Sequence, residues 1–331
     1  DREWSQSGYR AIAGLLGMRA GLAFRPSQRS SIEDGIRGAM EQQGLADLGD
    51  YIQRLESYAL ALDSLLVQTT VGETYFFRDP GQYSVISNLI VPDICERSDR
   101  SHTIRVWSAA CASGEETYSL AMLLHRMGLL SRSSILGTDI SREALNIAHQ
   151  ATYRDWSLRG KGKEFSAPYL TEVDSRYLVN PEIRQSVHFE YLNLALDNYP
   201  SIATGTRGLD LILCRNVMIY FDRDTIRSVV NRLHRCLVPG GWLVTAASDP
   251  PIHEFESFDV IPTEHGMVYR KEEPAVADRF VVPDIAEANA SDMFAPQSPA
   301  LPDAVGSDTS AATSEIPAVE ENAARLDKAR A

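Results

Sequence analysis

The chain is poor in the features that mark several protein classes. Only four cysteines occur among 331 residues: Cys95, Cys111, Cys214 and Cys236, with no C-x-x-C spacing. That argues against a zinc site or a disulfide framework and suits a reducing cytoplasm. The seven histidines show no metal-ligand spacing, so no metal is expected. No apolar run reaches 18 residues, and no basic start leads into an apolar core, so neither a membrane span nor a signal peptide is expected. Basic residues are also in deficit, 32 Lys and Arg against 45 Asp and Glu. A net charge of −13 disfavours nucleic-acid binding, which needs a basic surface for phosphates.

What is present is enough apolar residue, 44%, to bury a sizeable core, and a length that suggests two domains. The acid is uneven. Residues 274–331 hold 10 acidic and 4 basic residues with 15 Ala and 6 Pro, which is −6 of the −13. So little apolar area cannot offset the entropy of ordering, and the stretch reads as a disordered acidic tail or linker, with a short helix near 318–330. Residues 1–80 read as a helical domain. Ile12, Leu15 and Leu16, then Leu55, Tyr58, Ala59, Leu62, Leu65 and Leu66, recur at helical spacing, broken at Gly44 and the Asp47–Asp50 stretch.

From Thr103 strands and helices alternate over residues 81–273. IRVWSAA (104–110), SSILGTDI (133–140), VHFEYLNL (187–194), LDLILCRN (209–216) and GWLVTAA (241–247) read as strands. Helices are expected over 114–128, 141–150 with Ser141 as N-cap, and 222–241, the last closed by a Pro-Gly-Gly turn. FDVIP and MVYRK form a closing hairpin. The pattern predicts an α/β doubly wound, Rossmann-like parallel sheet, with a small β subdomain inserted at about 152–186.

In such a sheet ligands bind at the carboxyl ends of the strands. The loop after the first strand, SAACASGEE (108–116), has small residues but only one glycine, Gly114. Without G-x-G-x-x-G it offers no pyrophosphate cradle. Glu115 and Glu116 would repel a phosphate and welcome a cation. Asp139, ending the second strand, is placed for ribose hydroxyls. A ribose acid without a phosphate cradle points to S-adenosyl-L-methionine. Taken singly, Asp139 reads equally as a helix cap, Glu116 as an ordinary first-turn acid and Cys111 as packing.

The segments ETYFFRDP (73–80), VWSAACASGEETYSLAMLL (106–124), GTDIS (137–141), LNLAL (192–196) and CRNVMIYFD (214–222) occur in that order. The chain thereby closely resembles the chemotaxis-receptor protein-glutamate O-methyltransferases, the CheR-type family, over roughly residues 9–271. The resemblance implies a class I S-adenosylmethionine-dependent methyltransferase, with S-adenosyl-L-homocysteine as product. It implies that the N-x-T-x-F-F-R segment closes over the cofactor, with Thr74 and Arg78 matching and Gly72 standing where the family has Asn. Glu116 would then hold the methionine amino group and Asp139 the ribose. Asn193 and Leu194 would lie along the adenine, and Arg215 and Asn216 would complete the methionine end. Tyr220 would face the transferred methyl, with a structural aromatic as its plainer reading, and Arg78 would orient the incoming carboxylate.

The partners so implied are the cytoplasmic helices of methyl-accepting chemoreceptors or a similar signalling protein, met by the helical domain and the insert, with no nucleic acid and no membrane insertion. One departure concerns the second helix, often strongly basic in the family. Here RPSQRSSIEDGIRG (25–38) mixes Arg25, Arg29 and Arg37 with Glu33 and Asp34, so weaker electrostatic steering is expected. That dilution and Gly72 motivate an alternative, a catalytically impaired member acting as an S-adenosylmethionine-sensing or scaffolding module. A small-molecule methyltransferase is a third reading, opposed by surface beyond what a small substrate needs.

Overall fold

A computed structural model describes residues 6–24, 28–69 and 72–273. Arg25 and the acidic stretch 274–331, with its expected helix at 318–330, lie outside the described residues.

Four helices come first: α1 (Gln6–Ala20), α2 (Arg29–Gln42), α3 (Leu48–Ser57) and α4 (Ala59–Thr69). Their apolar faces meet in one core around Ile12, Leu16, Ile36, Tyr51, Leu55 and Leu65. The break before α3 is narrower than its sequence suggests. Gly44 takes a left-handed turn (φ +66°), and Asp47 caps α3 by accepting from the N–H groups of Gly49 and Asp50, so Leu48–Asp50 is already helix. Both described arginines of the mixed stretch are neutralised within α2, Arg29 by Glu33 (2.7 Å) and Arg37 by Asp34 (3.2 Å).

A non-helical linker, 72–79, leads to α5 (Pro80–Val85), a π-helical turn at Ile86–Ile90 and α6 (Val91–Arg97). Pro92 lies at the start of α6 and has no N–H to donate, which accounts for the widened turn before it. The sheet follows as β1 (Ile104–Ala109), α7 (Glu115–Arg126), β2 (Ser133–Asp139) and α8 (Arg142–Gln150). Next come β3 (Thr152–Tyr153), α9 (Gly162–Ser166), β4 (Leu170–Val173), β5 (Arg176–Val179) and α10 (Pro181–Gln185). The last are β6 (Val187–Tyr191), β7 (Leu209–Leu213), α11 (Arg223–Cys236), β8 (Leu237–Val244), β9 (Phe258–Thr263) and β10 (Gly266–Lys271).

Strands β3, β5 and β4 make the small antiparallel insert. The main sheet runs β6-β2-β1-β7-β8-β10-β9, parallel from β6 to β8 and closed by the antiparallel hairpin β9–β10. Every residue of β7 is buried, as an apolar central strand requires. One core packs Tyr83, Ile90, Tyr118 and Phe189 on one sheet face, and another packs Trp107, Val229, Val230 and Leu233 on the opposite face.

One expectation fails. The Pro239-Gly240-Gly241 run does not end α11; the helix stops at Cys236, where Leu237 turns extended, and the run lies inside β8. Gly240 (φ +72°) makes an irregularity there, and the β7–β8 register shifts between Leu209 and Leu211. A Pro-Gly pair marks a bulge in a strand as readily as a helix stop, and local spacing does not distinguish them. The strands expected over 133–140, 187–194 and 209–216 end earlier, at Asp139, Tyr191 and Leu213, because the chain leaves the ladder to form the site.

Candidate active site

The strand order reverses at β1, which pairs with β2 on one side and β7 on the other. The carboxyl ends of these strands open into a cavity of about 560 Å³. Gly72, Thr74, Arg78, Glu116, Asp139, Asn193, Leu194, Arg215, Asn216 and Tyr220 all line it. The structure thus brings together every residue that the family resemblance implied. Glu115, grouped with Glu116 as a lure for a cation, is the exception. Its buried carboxylate accepts from Ser113 Oγ (2.7 Å) and Ser157 Oγ (2.8 Å), fastening the strand-one loop to the insert.

That loop is tightly bent. Ala110 (φ +61°) and Ala112 (φ +48°) are left-handed, at a cost of about 1–2 kcal/mol each. Gly114 (φ +92°) has no room for a Cβ, which would meet Ala148 at 2.8 Å. Asp139 braces the loop. One oxygen accepts from Ala112 N–H and the other from Ser141 N–H, both at 2.8 Å. The helix cap is Ser141 instead, whose Oγ accepts from Ala144 N–H. Burial pushes the Asp139 carboxyl above its ordinary value, against the pull of the N–H groups of Ser141, Ala112 and Ile140. Cys111 is packing, as expected; burial above all, then the Asp139 charge, pushes its thiol well up, so it is no nucleophile.

Glu116 projects from the first turn of α7. Its Oε1 accepts from Ser108 Oγ (2.8 Å) and its Oε2 from Arg215 Nη1 (3.1 Å). The other Arg215 nitrogen donates to the carbonyl of Arg78 (2.6 Å), tying the linker to the end of β7. The two phenylalanines of the linker are plugs. Phe76 packs edge-on against Tyr153 of the insert (4.9 Å), and Phe77 packs on Tyr83 (5.0 Å). Phe76 N–H donates to Ser157 O and Phe77 N–H to Ser119 Oγ, both at 2.9 Å. Plugged on both sides, the linker presents Arg78 to the cavity.

After β7 the chain is turned by a residue that no sequence pattern marked. Buried Asp249 accepts from four N–H groups, those of Asn216 (2.7 Å), Val217, Met218 and Ala246. It holds Asn216 left-handed (φ +59°) and sets the 3₁₀ turn that delivers Tyr220. The Ser-Asp-Pro-Pro run (248–251) at the carboxyl end of β8 is the signal that could have found it. The far wall comes from the helical layer, through Ala20, Leu22 and Leu66. Asn193 Nδ2 donates to the carbonyl of Arg19 (2.5 Å), and Leu22 bridges to Phe221.

The donor set fits S-adenosylmethionine. One carboxylate, Glu116, is available to an ammonium, another, Asp139, to a diol, and Leu22, Ile140, Ile147 and Leu192 give an apolar wall between. The strand-one loop carries no phosphate cradle. This is the class of S-adenosylmethionine-dependent methyltransferases with a Rossmann-like sheet. Residues 72–267 match the CheR methyltransferase SAM-binding domain, so the chain belongs to that family. It is 31% identical over 265 residues to "Chemotaxis protein methyltransferase 1" of Pseudomonas aeruginosa, covering 77% of this chain and 94% of that one. It is 29% identical to "Chemotaxis protein methyltransferase Cher2" of Pseudomonas putida (77% and 94%) and 30% identical to "Chemotaxis protein methyltransferase" of Borreliella burgdorferi (69% and 83%). Among the described residues no helix is long and apolar enough to cross a membrane, and no group of His, Cys, Asp and Glu could hold a metal ion.

Proposed function

We propose that the chain methylates glutamate side chains of a chemoreceptor-like signalling protein in the cytoplasm, giving neutral methyl esters. The observation that carries this reading is that Arg78, whose planar fork suits a carboxylate, lines the cavity while no histidine does among the described residues. Burial pushes the Cys111 thiol well up, Glu116 is held by Ser108 and Arg215 and Asp139 by two backbone N–H groups, while Glu73 and Glu143 are exposed carboxylates of the lining. A hydroxyl or amine acceptor would need deprotonation. A glutamate, with a pKa of about 4.3, arrives ionised.

S-adenosylmethionine, when bound, supplies an electrophilic methyl on a positively charged sulfur. The chain supplies position and dryness. Glu116, with Arg215 setting its orientation, would hold the ammonium, and Asp139 the ribose. Asn193 and Leu194 would flank the adenine, while Thr74, Gly72 and Asn216 close the remaining rim. Arg78 would orient the acceptor carboxylate through a single shared contact, since a tighter grip would stabilise the ground state. Tyr220 would shape the methyl channel beside it. The names of the relatives support a chemoreceptor substrate. The pairs that neutralise Arg29 and Arg37 in α2 support a docking less dependent on charge steering.

The test is incubation with methyl-labelled cofactor and a cytoplasmic chemoreceptor fragment. Base-labile label on the fragment is expected, and its absence from every candidate receptor would refute the substrate assignment. Calorimetry with S-adenosylhomocysteine addresses the scaffolding alternative, which predicts no binding.

A further inference from the structure

Beside Arg78 lies a second guanidinium that no sequence pattern marked. Arg159, from the insert, is sandwiched between the rings of Tyr75 (4.0 Å to the centroid) and Trp156 (4.2 Å). Its Nη1 donates to the carbonyl of Trp156 (2.8 Å). These contacts hold it from sides other than its counter-ion. Its Nη2 nonetheless meets Glu73 Oε1 at 2.9 Å, while the other oxygen of that carboxylate lies 4.0 Å from Arg78 Nη2. Arg78 also donates to the Glu73 backbone carbonyl. One glutamate carboxylate, half-exposed and on a residue lining the cavity, therefore bridges Arg78, which lines the cavity too, and Arg159, which stands behind it on the insert.

We propose that Arg78 and Arg159 together form the seat for the acceptor glutamate, and that Glu73 occupies this seat until the acceptor displaces it. This rests on the carboxylate substrate proposed above. The exchange is nearly even, because Glu73 gives up its two half-exposed ion pairs as the acceptor gains them, and such pairs are weak. A built-in competitor lowers ground-state affinity for the acceptor without touching the transferring atoms, so a modified glutamate, neutral after methylation, is expelled by Glu73 rather than retained. Arg159 is on this account a positioning residue for the acceptor, supplied by the insert.

Binding of a labelled cytoplasmic chemoreceptor fragment, measured by anisotropy with S-adenosylhomocysteine present, tests the exchange independently of catalysis. Glu73→Gln, an isosteric change at an exposed side chain, is expected to tighten binding about fivefold, and Arg159→Ala to weaken it about fivefold. Arg159→Lys, which keeps the charge without the planar fork, falls between. Both effects should vanish for the same fragment with its acceptor glutamates changed to glutamine. If Glu73→Gln and Arg159→Ala both weaken binding, the pair is a structural bridge and the proposal is overturned. It is overturned equally if the glutamine fragment responds as the native one does, or if no form of the protein binds the fragment. Binding that follows the expected pattern while wild type transfers no methyl would instead refute the reaction and leave the seat standing.

Discussion

Replacing Glu116 by glutamine keeps the shape of the side chain and removes its charge. Two losses follow, and they are separable. The first is to the fold. Breaking a buried ion pair costs about 3–5 kcal/mol when one partner is stranded. Arg215, only 3% exposed, is not wholly stranded here, since one nitrogen keeps the carbonyl of Arg78 and a glutamine oxygen can still accept from the other. With Glu116 itself 14% exposed, the cost falls to roughly 1–2 kcal/mol, a melting-point drop of about 2–8 °C. The second loss is to the ligand. A hydrogen bond to a charged group contributes about 1.5–3 kcal/mol, so S-adenosylhomocysteine should bind roughly 10- to 150-fold more weakly. Calorimetry with 5′-methylthioadenosine separates the two, because that molecule keeps the nucleoside and thioether but has no ammonium. Its affinity should change by less than about threefold. Unchanged binding of S-adenosylhomocysteine, or an equal loss for both ligands, would refute the assignment of Glu116 to the ammonium.

Arg78→Ala keeps the backbone carbonyl that anchors Arg215, so S-adenosylhomocysteine affinity should stay within about tenfold while methyl transfer falls by about a hundredfold or more. Equal loss of both, by calorimetry and label transfer, would contradict a role toward the acceptor. A Cβ at Gly72 meets open space, and Gly72→Asn restores the family residue there, so this variant should bind S-adenosylhomocysteine several-fold more tightly; no gain would place position 72 away from the ligand. In the proposed ribose contact Asp139 would accept hydroxyls best when ionised, and burial pushes its carboxyl above the ordinary value, so affinity should weaken on acidification at a higher pH than an ordinary aspartate would give. The same shift means that Asp139 detracts from stability as pH rises through its folded pKa, since the folded state there holds the proton longer than the unfolded chain. A dissociation constant flat down to about pH 4 would exclude this dependence.

The sheet was legible because β1, β2 and β7 are short, mostly buried and each followed by a helical repeat. Of the candidate site, the linker residues Gly72, Thr74 and Arg78 were found only through the family resemblance, while Asp139 at the end of β2 and Glu116 at the start of α7 were legible from position alone. The Gly240 bulge was not, since it depends on the register with β7 rather than on β8 itself. Asp249 was hidden for a related reason. A buried aspartate that collects backbone N–H groups from another segment leaves no periodic trace. Nor does spacing reveal that Glu115 and Glu116, adjacent in sequence, turn to opposite duties; the helix rotates successive side chains by about 100°, and only the packing of the insert decides which one is covered. Arg159 is far along the chain from Arg78, and a carboxylate shared between them is a property of the folded linker.

The amide of Asn193 donates to the last turn of α1, and Leu22 stitches that segment to Phe221. The front helices are thus masonry of the cavity wall as well as, on the reading proposed above, a face for the acceptor protein. A version trimmed to begin after Phe24 would lose the wall given by Ala20 and Leu22 and with it grip on the small molecule, so this layer cannot be exchanged as a cassette without retuning the chemistry behind it.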